Sequence, residues 1–317
     1  MPHRPPNRAH QRLADEFAED GIVLPADAAS VGLVIEELDY ARRSPMFEGR
    51  RPVYGAIITS DPDTLSVWDD VAVDLVEVAC GLDEARTFAD GRAAFMVRDP
   101  HRPGRPVIAC FGRSLQFESD LVRLQRATGA LVVQRTPVFG VSRVFGPNEV
   151  VSWNGGSWER RTTAHGVLPI LLRRAPHLDP TVVAGVLNLA VHWLAPARAG
   201  ATLIIDDRFD EATLDTTDAT FDPGFDVTRR SHFPALLSGL MQRDLATIVR
   251  PDGTIRAFGV GLRVRMVQPM GADRGHGMRH RSARHWSVDH PDALAIVVSA
   301  DGPVTAYHAG QVAIGRL

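Results

Sequence analysis

Between Pro180 and Asp207 the chain passes from a helical apolar stripe through a short turn into an apolar strand, an order that asks for a helix packed on a sheet. Val183, Val186, Leu187, Ala190, Val191 and Leu194 recur at helical spacing and fall on one stripe. The turn at Ala197 to Gly200 feeds the β-rich run Ala201 to Ile205, which stops at Asp206-Asp207. A helix with such a stripe has to bury it, so helix and strand read as layers of an α/β unit. The apolar run Val182 to Ala195 is too short for a bilayer and is broken by Asn188 and His192.

The rest of the chain supports the same class. Gln11 to Glu19 and Ala29 to Arg42 have helical spacing, the second with Asp27 placed to cap it. Val53 to Thr59, Ala93 to Val97, Val107 to Phe111 and Leu131 to Gln134 are short β-rich runs, with a helix expected over Ser119 to Thr128. Val138 to Trp158 carries hairpin signals, including Asn154-Gly155-Gly156-Ser157. Pro and charge around Arg173 to Pro180 suit a linker. The expected organisation is a disordered tail over 1–10, an N-terminal α/β unit over 11–165, a linker over 166–179 and a second unit over 180–317. That second unit continues with an acidic, Thr-rich stretch from Asp210 to Asp226 and a helix from His232 to Gln242. The runs Ala246 to Val249 and Ile255 to Gly259 then flank the turn Pro251-Asp252-Gly253. A helix from about Ser282, a strand over Ala293 to Ser299 and a hairpin through Asp301-Gly302 close it.

Composition narrows the function classes. A net charge of −3, from 35 basic and 38 acidic residues in 317, supplies no global field for nucleic acid or an anionic membrane, so an anion site has to be local. Cys80 and Cys110 form no disulfide framework or zinc knuckle, and the Pro- and Arg-rich start lacks a signal peptide's apolar core, so a cytoplasmic location is expected. Cys110 lies in an apolar run and is expected to be buried. The tryptophans Trp68, Trp153 and Trp158 read as packing, His192 and Trp193 as core or interface residues, and Asp206-Asp207 as turn or capping groups.

One local cation cluster meets that condition. Gly275-His276-Gly277-Met278-Arg279-His280-Arg281-Ser282-Ala283 brings two glycines up to an Arg-His-Arg triplet, and forked guanidiniums beside close-approaching backbone suit phosphate oxygens. Arg274 extends the cluster, whereas Arg284 and His285 read as a solvated rim. Three further features accompany it: Arg198-Ala199-Gly200-Ala201-Thr202 entering a strand, Asp244 before a strand, and Ala295-Ile296-Val297-Val298-Ser299 ending near a turn.

In order and spacing, from Asp179 to Leu317, these four features resemble the diadenylate cyclase (DAC) domain, the nucleotide-binding module of the DNA-integrity-scanning checkpoint proteins. The resemblance implies a central mixed β-sheet flanked by helices, and synthesis of cyclic di-AMP from two ATP with Mg2+ or Mn2+. It also implies that the unit over 11–165 is a sensor or regulatory domain, and that the protein is a homodimer or higher oligomer, because each active domain holds half of a symmetric reaction. No membrane association and no nucleic-acid partner are expected. The family's aspartate matches Asp244 rather than Asp252, since Asp252 has the composition of the hairpin turn itself. Asp244 is thereby implied as the metal-holding catalytic carboxylate, and Arg279, His280 and Arg281 as catalytic phosphate contacts. Thr202, Leu245, Ala246, Leu262, Gly277, Met278, Ser282 and Ser299 are implied as nucleotide contacts. Leu245 stands where the family has Gly and Met278 where it has Thr, and an alternative reading is a nucleotide or cyclic di-AMP receptor with weakened turnover. Ala300-Asp301 follows Ser299 where many members have acidic residues, so a second metal carboxylate is either lost or moved to Asp301.

Overall fold

The computed structural model describes residues 8–24, 26–43, 48–49, 52–68, 71–101, 104–136, 141–153, 155–209, 222–243, 245–263, 277–315 and 317. Asp244, Asn154, Arg274, Gly275, His276, the tail over 1–7 and the 210–221 part of the acidic stretch lie outside the described residues. Two compact units divide the chain, Met1–Arg161 and Thr162–Leu317.

The first unit carries α1 (Arg8–Glu19), α2 (Ala28–Arg43), β1 (Tyr54–Ile58), β2 (Val73–Glu77), α3 (Leu82–Arg86), β3 (Ala94–Arg98), β4 (Val107–Phe111), α4 (Glu118–Thr128), β5 (Leu131–Arg135), β6 (Ser142–Phe145), β7 (Glu149–Trp153) and β8 (Trp158–Thr162). Its eight strands are ordered β2-β4-β3-β1-β5-β6-β7-β8, with β1 and β3 parallel. The period of two along β1 decides its two cores. Ala56 and Ile58 pack with Leu13, Phe17 and Leu38 of α1 and α2, whereas Ile57 packs with Leu121 and Leu124 of α4. Asp27 caps α2 as its position implies, accepting from the Ala29 and Ser30 amides at 2.9 and 3.0 Å. Trp68 and Trp158 are buried packing residues, and Trp158 meets Phe17 edge-on at 4.7 Å. Cys110, expected to be buried, is half-buried, because β4 is covered on that face only in part.

The second unit opens on α5 (Ala164–Arg174), followed by α6 (Pro180–Leu189), which runs on into a π turn over Ala190–Leu194. Most of the expected linker is therefore helix. Thr163 caps it by accepting from the Gly166 amide, and burial of Val167 and Leu171 outweighs the bond that Pro169 cannot donate. His192 also closes this helix start, its Nε2 accepting from the Ala164 amide at 3.0 Å. The sheet contains β9 (Ala201–Ile205), β10 (Ala246–Val249), β11 (Ile255–Val260), β12 (Leu294–Val298), β13 (Val304–His308) and β14 (Gln311–Ile314), with α7 (Phe233–Leu240) between β9 and β10 and α8 (Met278–Asp289) between β11 and β12. Its order is β11-β10-β9-β12-β13-β14. β9 and β10 run parallel and the other pairs antiparallel, which is the mixed sheet expected. All five residues of β9 are buried, and α8 lies along it.

Candidate functional site

Helix α8 begins a turn earlier than its expected start at Ser282. Gly277 is the N-cap, with extended φ −67° and ψ 170°, and so Arg279, His280 and Arg281 occupy the first turn. The glycines suggest loop, but Gly is a serviceable N-cap and Met and Arg are good helix formers, so the helix propagates back to Met278.

Three faces of α8 then have three tasks. Toward the sheet, Ala283 and Trp286 are buried, and Asp206 at the end of β9 anchors this face. Its Oδ2 accepts from Trp286 Nε1 at 3.2 Å and lies 2.8 Å from His290 Nδ1, while the His290 and Trp286 rings stack at 4.1 Å. Asp206 Oδ1 also accepts from the Arg208 amide at 2.9 Å, the turn and capping role expected of it. Arg279 sits one turn before Ala283, over Gly200. A methyl group on Gly200 would lie 2.6 Å from the guanidinium Cζ and 2.9 Å from Nη2, so the absent side chain is what seats this arginine.

The second face looks toward β12, β13 and the turn before β14. His280 Nδ1 lies 3.0 Å from the Tyr307 hydroxyl and its Nε2 2.9 Å from Ser299 Oγ. Arg284 Nε donates to Gly310 O at 3.0 Å, and Ser287 Oγ accepts from the Gly310 amide at 3.1 Å. Arg284 is thus a bridge to the sheet rather than rim. His280 and Ser299, both expected at the ligand, bind each other, which makes His280 a latch between α8 and the two strands. His280→Ala is expected to lower the second unit's stability by about 1–2 kcal/mol and to weaken ligand binding less than loss of Arg279 does; calorimetric melting and titration of the same variant check both.

The third face bears Met278, Arg281, Ser282 and His285, spaced i, i+3, i+4 and i+7. It forms one wall of a cavity of about 420 Å3. Thr202, Leu245, Ala246, Val260, Gly261 and Leu262 line the rest of it, and Arg279 borders the same space. Of the expected nucleotide contacts, Thr202, Leu245, Ala246, Leu262, Met278 and Ser282 meet here, drawn from four separate segments, together with Arg279 and Arg281. Gly277 adjoins as the N-cap. The Ser282 hydroxyl is engaged within the helix, with Oγ 3.1 Å from both the Met278 and the Arg279 carbonyl oxygens. Asp252 stays in the hairpin turn, where the Thr254 hydroxyl and amide, at 2.6 and 2.9 Å, hold its carboxyl below the usual value.

Electrostatics give the cavity its preference. Two guanidiniums in a helix's first turn oppose the macrodipole, at about 0.3–1 kcal/mol each, and an anion bound at that helix end relieves both them and the dipole. Among the described residues the cavity wall has no carboxylate, and no group of three or more metal-ligating side chains occurs.

Comparison with known proteins identifies two domains. Residues 188–312 match the family model described as DisA bacterial checkpoint controller nucleotide-binding, and residues 11–161 match the one described as Probable sensor domain DACNK. The chain joins a DACNK domain to a DAC domain. The DAC domain spans β9 to β13 and every described wall of the cavity. Among solved structures the chain is similar to DacA from Staphylococcus aureus, a double mutant. Identity is 19% over 43% of this chain and 85% of that one, with a TM-score of 0.34. It is also similar to a hypothetical membrane spanning protein from Bacillus cereus, at 20% identity over 44% of this chain and 70% of that one, with a TM-score of 0.33. Among the described residues of this chain no helix is long and apolar enough to cross a membrane. No curated protein matches the chain.

Two contributors to the cavity escape the sequence reading. Val260 adds apolar wall at the end of β11, and His285 comes off the supposed rim to line the cavity. The signal for His285 is the helical spacing from Met278, which is hidden once the helix is started at Ser282.

Proposed function

We propose that this chain is a diadenylate cyclase that condenses two ATP into cyclic di-AMP with release of two pyrophosphates. The observation that carries the proposal is the single cavity in which Thr202, Leu245–Ala246, Leu262 and the first turn of α8 converge. In each half-reaction the 3′-hydroxyl oxygen of one nucleotide attacks the α-phosphorus of the other. A P–O bond forms, the bond to the β-phosphate oxygen breaks, and pyrophosphate leaves. Arg279 and Arg281 bind the triphosphate and stabilise the charge that grows on it, aided by the positive end of the α8 dipole. His280 holds their helix turn against β12 and β13 through Ser299 and Tyr307. Two such cavities facing one another in a homodimer complete the symmetric reaction.

Asp244 is proposed to take the 3′-hydroxyl proton and to hold Mg2+ or Mn2+, which would lower that hydroxyl's pKa. Asp244 lies outside the described residues, and among those the cavity lining has no carboxylate. Purified protein with ATP and Mg2+ or Mn2+ is expected to yield cyclic di-AMP by mass spectrometry, and Asp244→Asn to abolish it while retaining most ATP binding. Protein that binds ATP and self-associates yet forms no product with either metal refutes the cyclase.

A second reading draws on Leu245 and Met278, which bring bulky apolar side chains to the cavity and are 44% and 72% exposed. A receptor that binds ATP or cyclic di-AMP without turnover fits such a lining, and calorimetric binding in the absence of product distinguishes it.

A further inference from the structure

We infer that Met278 is an oxidation site through which peroxide weakens anion binding in the cavity, because its sulfoxide, once formed, competes with phosphate for Arg281. The inference rests on the nucleotide reading of the cavity and adds a means of control to it. Met278 is the first residue of α8 after the Gly277 N-cap and is 72% exposed, whereas Met96 is buried in β3. Its sulfur lies 4.0 Å from Arg281 Nη2, one turn further along the same helix face, and both residues line the cavity. An accessible thioether is open to peroxide, and a buried one is shielded.

The step is an oxygen transfer from hydrogen peroxide. A lone pair on the Met278 sulfur attacks one peroxide oxygen, and the S–O bond forms as the O–O bond breaks. The transferred oxygen's proton passes to the departing hydroxide, which leaves as water. Sulfur is oxidised by two electrons and the peroxide reduced by two. A thioether is a weak acceptor, and at 4.0 Å it holds the guanidinium loosely. The sulfoxide oxygen is a stronger acceptor that stands one bond out from sulfur, within reach of Arg281, so it draws on the donors that phosphate needs. It also places the negative end of the S–O dipole on the cavity wall, against an incoming anion. Met241, at the end of α7, is 60% exposed and equally open to peroxide, but it does not line the cavity.

The test treats the full-length protein with hydrogen peroxide and locates the added oxygen by peptide mass spectrometry. Dithiothreitol then reverses disulfide and sulfenic products at Cys80 and Cys110, and treated and untreated protein are titrated with ATP and inorganic tripolyphosphate. Treated wild type is expected to carry oxygen on Met278 and not on Met96, and to lose about fivefold in affinity for both anions, the partial loss of one charged contact. Methionine sulfoxide reductase restores the affinity. Met278→Leu, measured against its own untreated state, loses nothing on treatment, whereas Met241→Leu loses as much as wild type. Met278→Gln, which brings an amide oxygen to the same place without an oxidant, binds both anions more weakly than Met278→Leu. Unchanged affinity in protein oxidised at Met278 overturns the inference, as does a Met278 left reduced while Met241 is oxidised. An equal loss in treated Met278→Leu also overturns it, as does a loss confined to ATP, since the sulfoxide would then act away from the phosphates. Untreated wild type that binds neither anion removes the nucleotide reading and this inference together, an outcome distinct from the others.

Discussion

Arg279→Ala is expected to reduce ATP affinity about 100-fold while changing the second unit's stability by only about 1 kcal/mol. A charge-assisted, forked contact to phosphate contributes about 1.5–3 kcal/mol, and Arg279 is the triplet member that both lines the cavity and packs at Gly200, just before β9. Its seat can be tested from the other side. Gly200 has no positive φ, so alanine is tolerated by the backbone there, and the atoms it meets are the far end of a flexible side chain. Gly200→Ala should therefore move the guanidinium rather than the fold, lowering affinity about tenfold with melting nearly unchanged. The double variant Gly200→Ala with Arg279→Ala should bind no worse than Arg279→Ala alone, because both changes remove the same contact. Additive losses in that cycle would show that Gly200 acts on the ligand by another route, and near wild-type affinity in Arg279→Ala would move the phosphate site away from α8.

The elements that the sequence predicts with correct bounds share a physical cause. β4, β9 and β10 are short, apolar and closed by Pro, Gly or Asp, so their pattern and their punctuation agree. β2 has neither: Val73–Glu77 alternates with Asp and Glu at the sheet's edge, where only half a face is covered, and its pairing with β4 is what makes it a strand. In α5, Pro169 and the terminal arginines outweigh in the sequence what decides the helix in the structure, the burial of Val167 and Leu171. Of the residues that the resemblance names, Thr202, Ala246, Leu262, Arg279 and Arg281 line one cavity. The site was not legible where three-dimensional packing redirects a side chain. Nothing in Arg-His-Arg says that the middle residue turns to Ser299 and Tyr307 while its neighbours take other faces; a helix start at Met278 says so at once, because successive residues are 100° apart.

In the first unit, Glu37→Ala is expected to cost about 3–5 kcal/mol, a fall in melting temperature on the order of 10 °C for a unit of this size. Glu37 is fully buried on α2. Its carboxylate accepts from Arg86 Nε and Nη2 at 3.1 and 2.9 Å and also binds the Tyr54 hydroxyl and Arg98. Removing it leaves Arg86, itself 6% exposed, with the carboxylates of Glu36 and Asp83 and the Tyr40 ring as partners. A buried ion network adds little over an apolar core, but breaking one partner is expensive, so Glu37→Gln, which keeps an acceptor, should cost less than the alanine. The neighbouring Glu36 sets the pH behaviour. Burial opposes its ionisation, but Arg98 and Arg86 prevail and hold its carboxyl below the usual value. A depressed folded-state pKa contributes stability that is complete above the ordinary glutamate range and is lost as pH falls through and below it. Acid titration of melting temperature should therefore fall more steeply in wild type than in Glu36→Gln, which has already lost that proton-linked term. Parallel acid limbs in the two proteins, or a Glu37→Ala unit that melts within about 2 °C of wild type, would show that these arginines are held by their packing and not by the carboxylates.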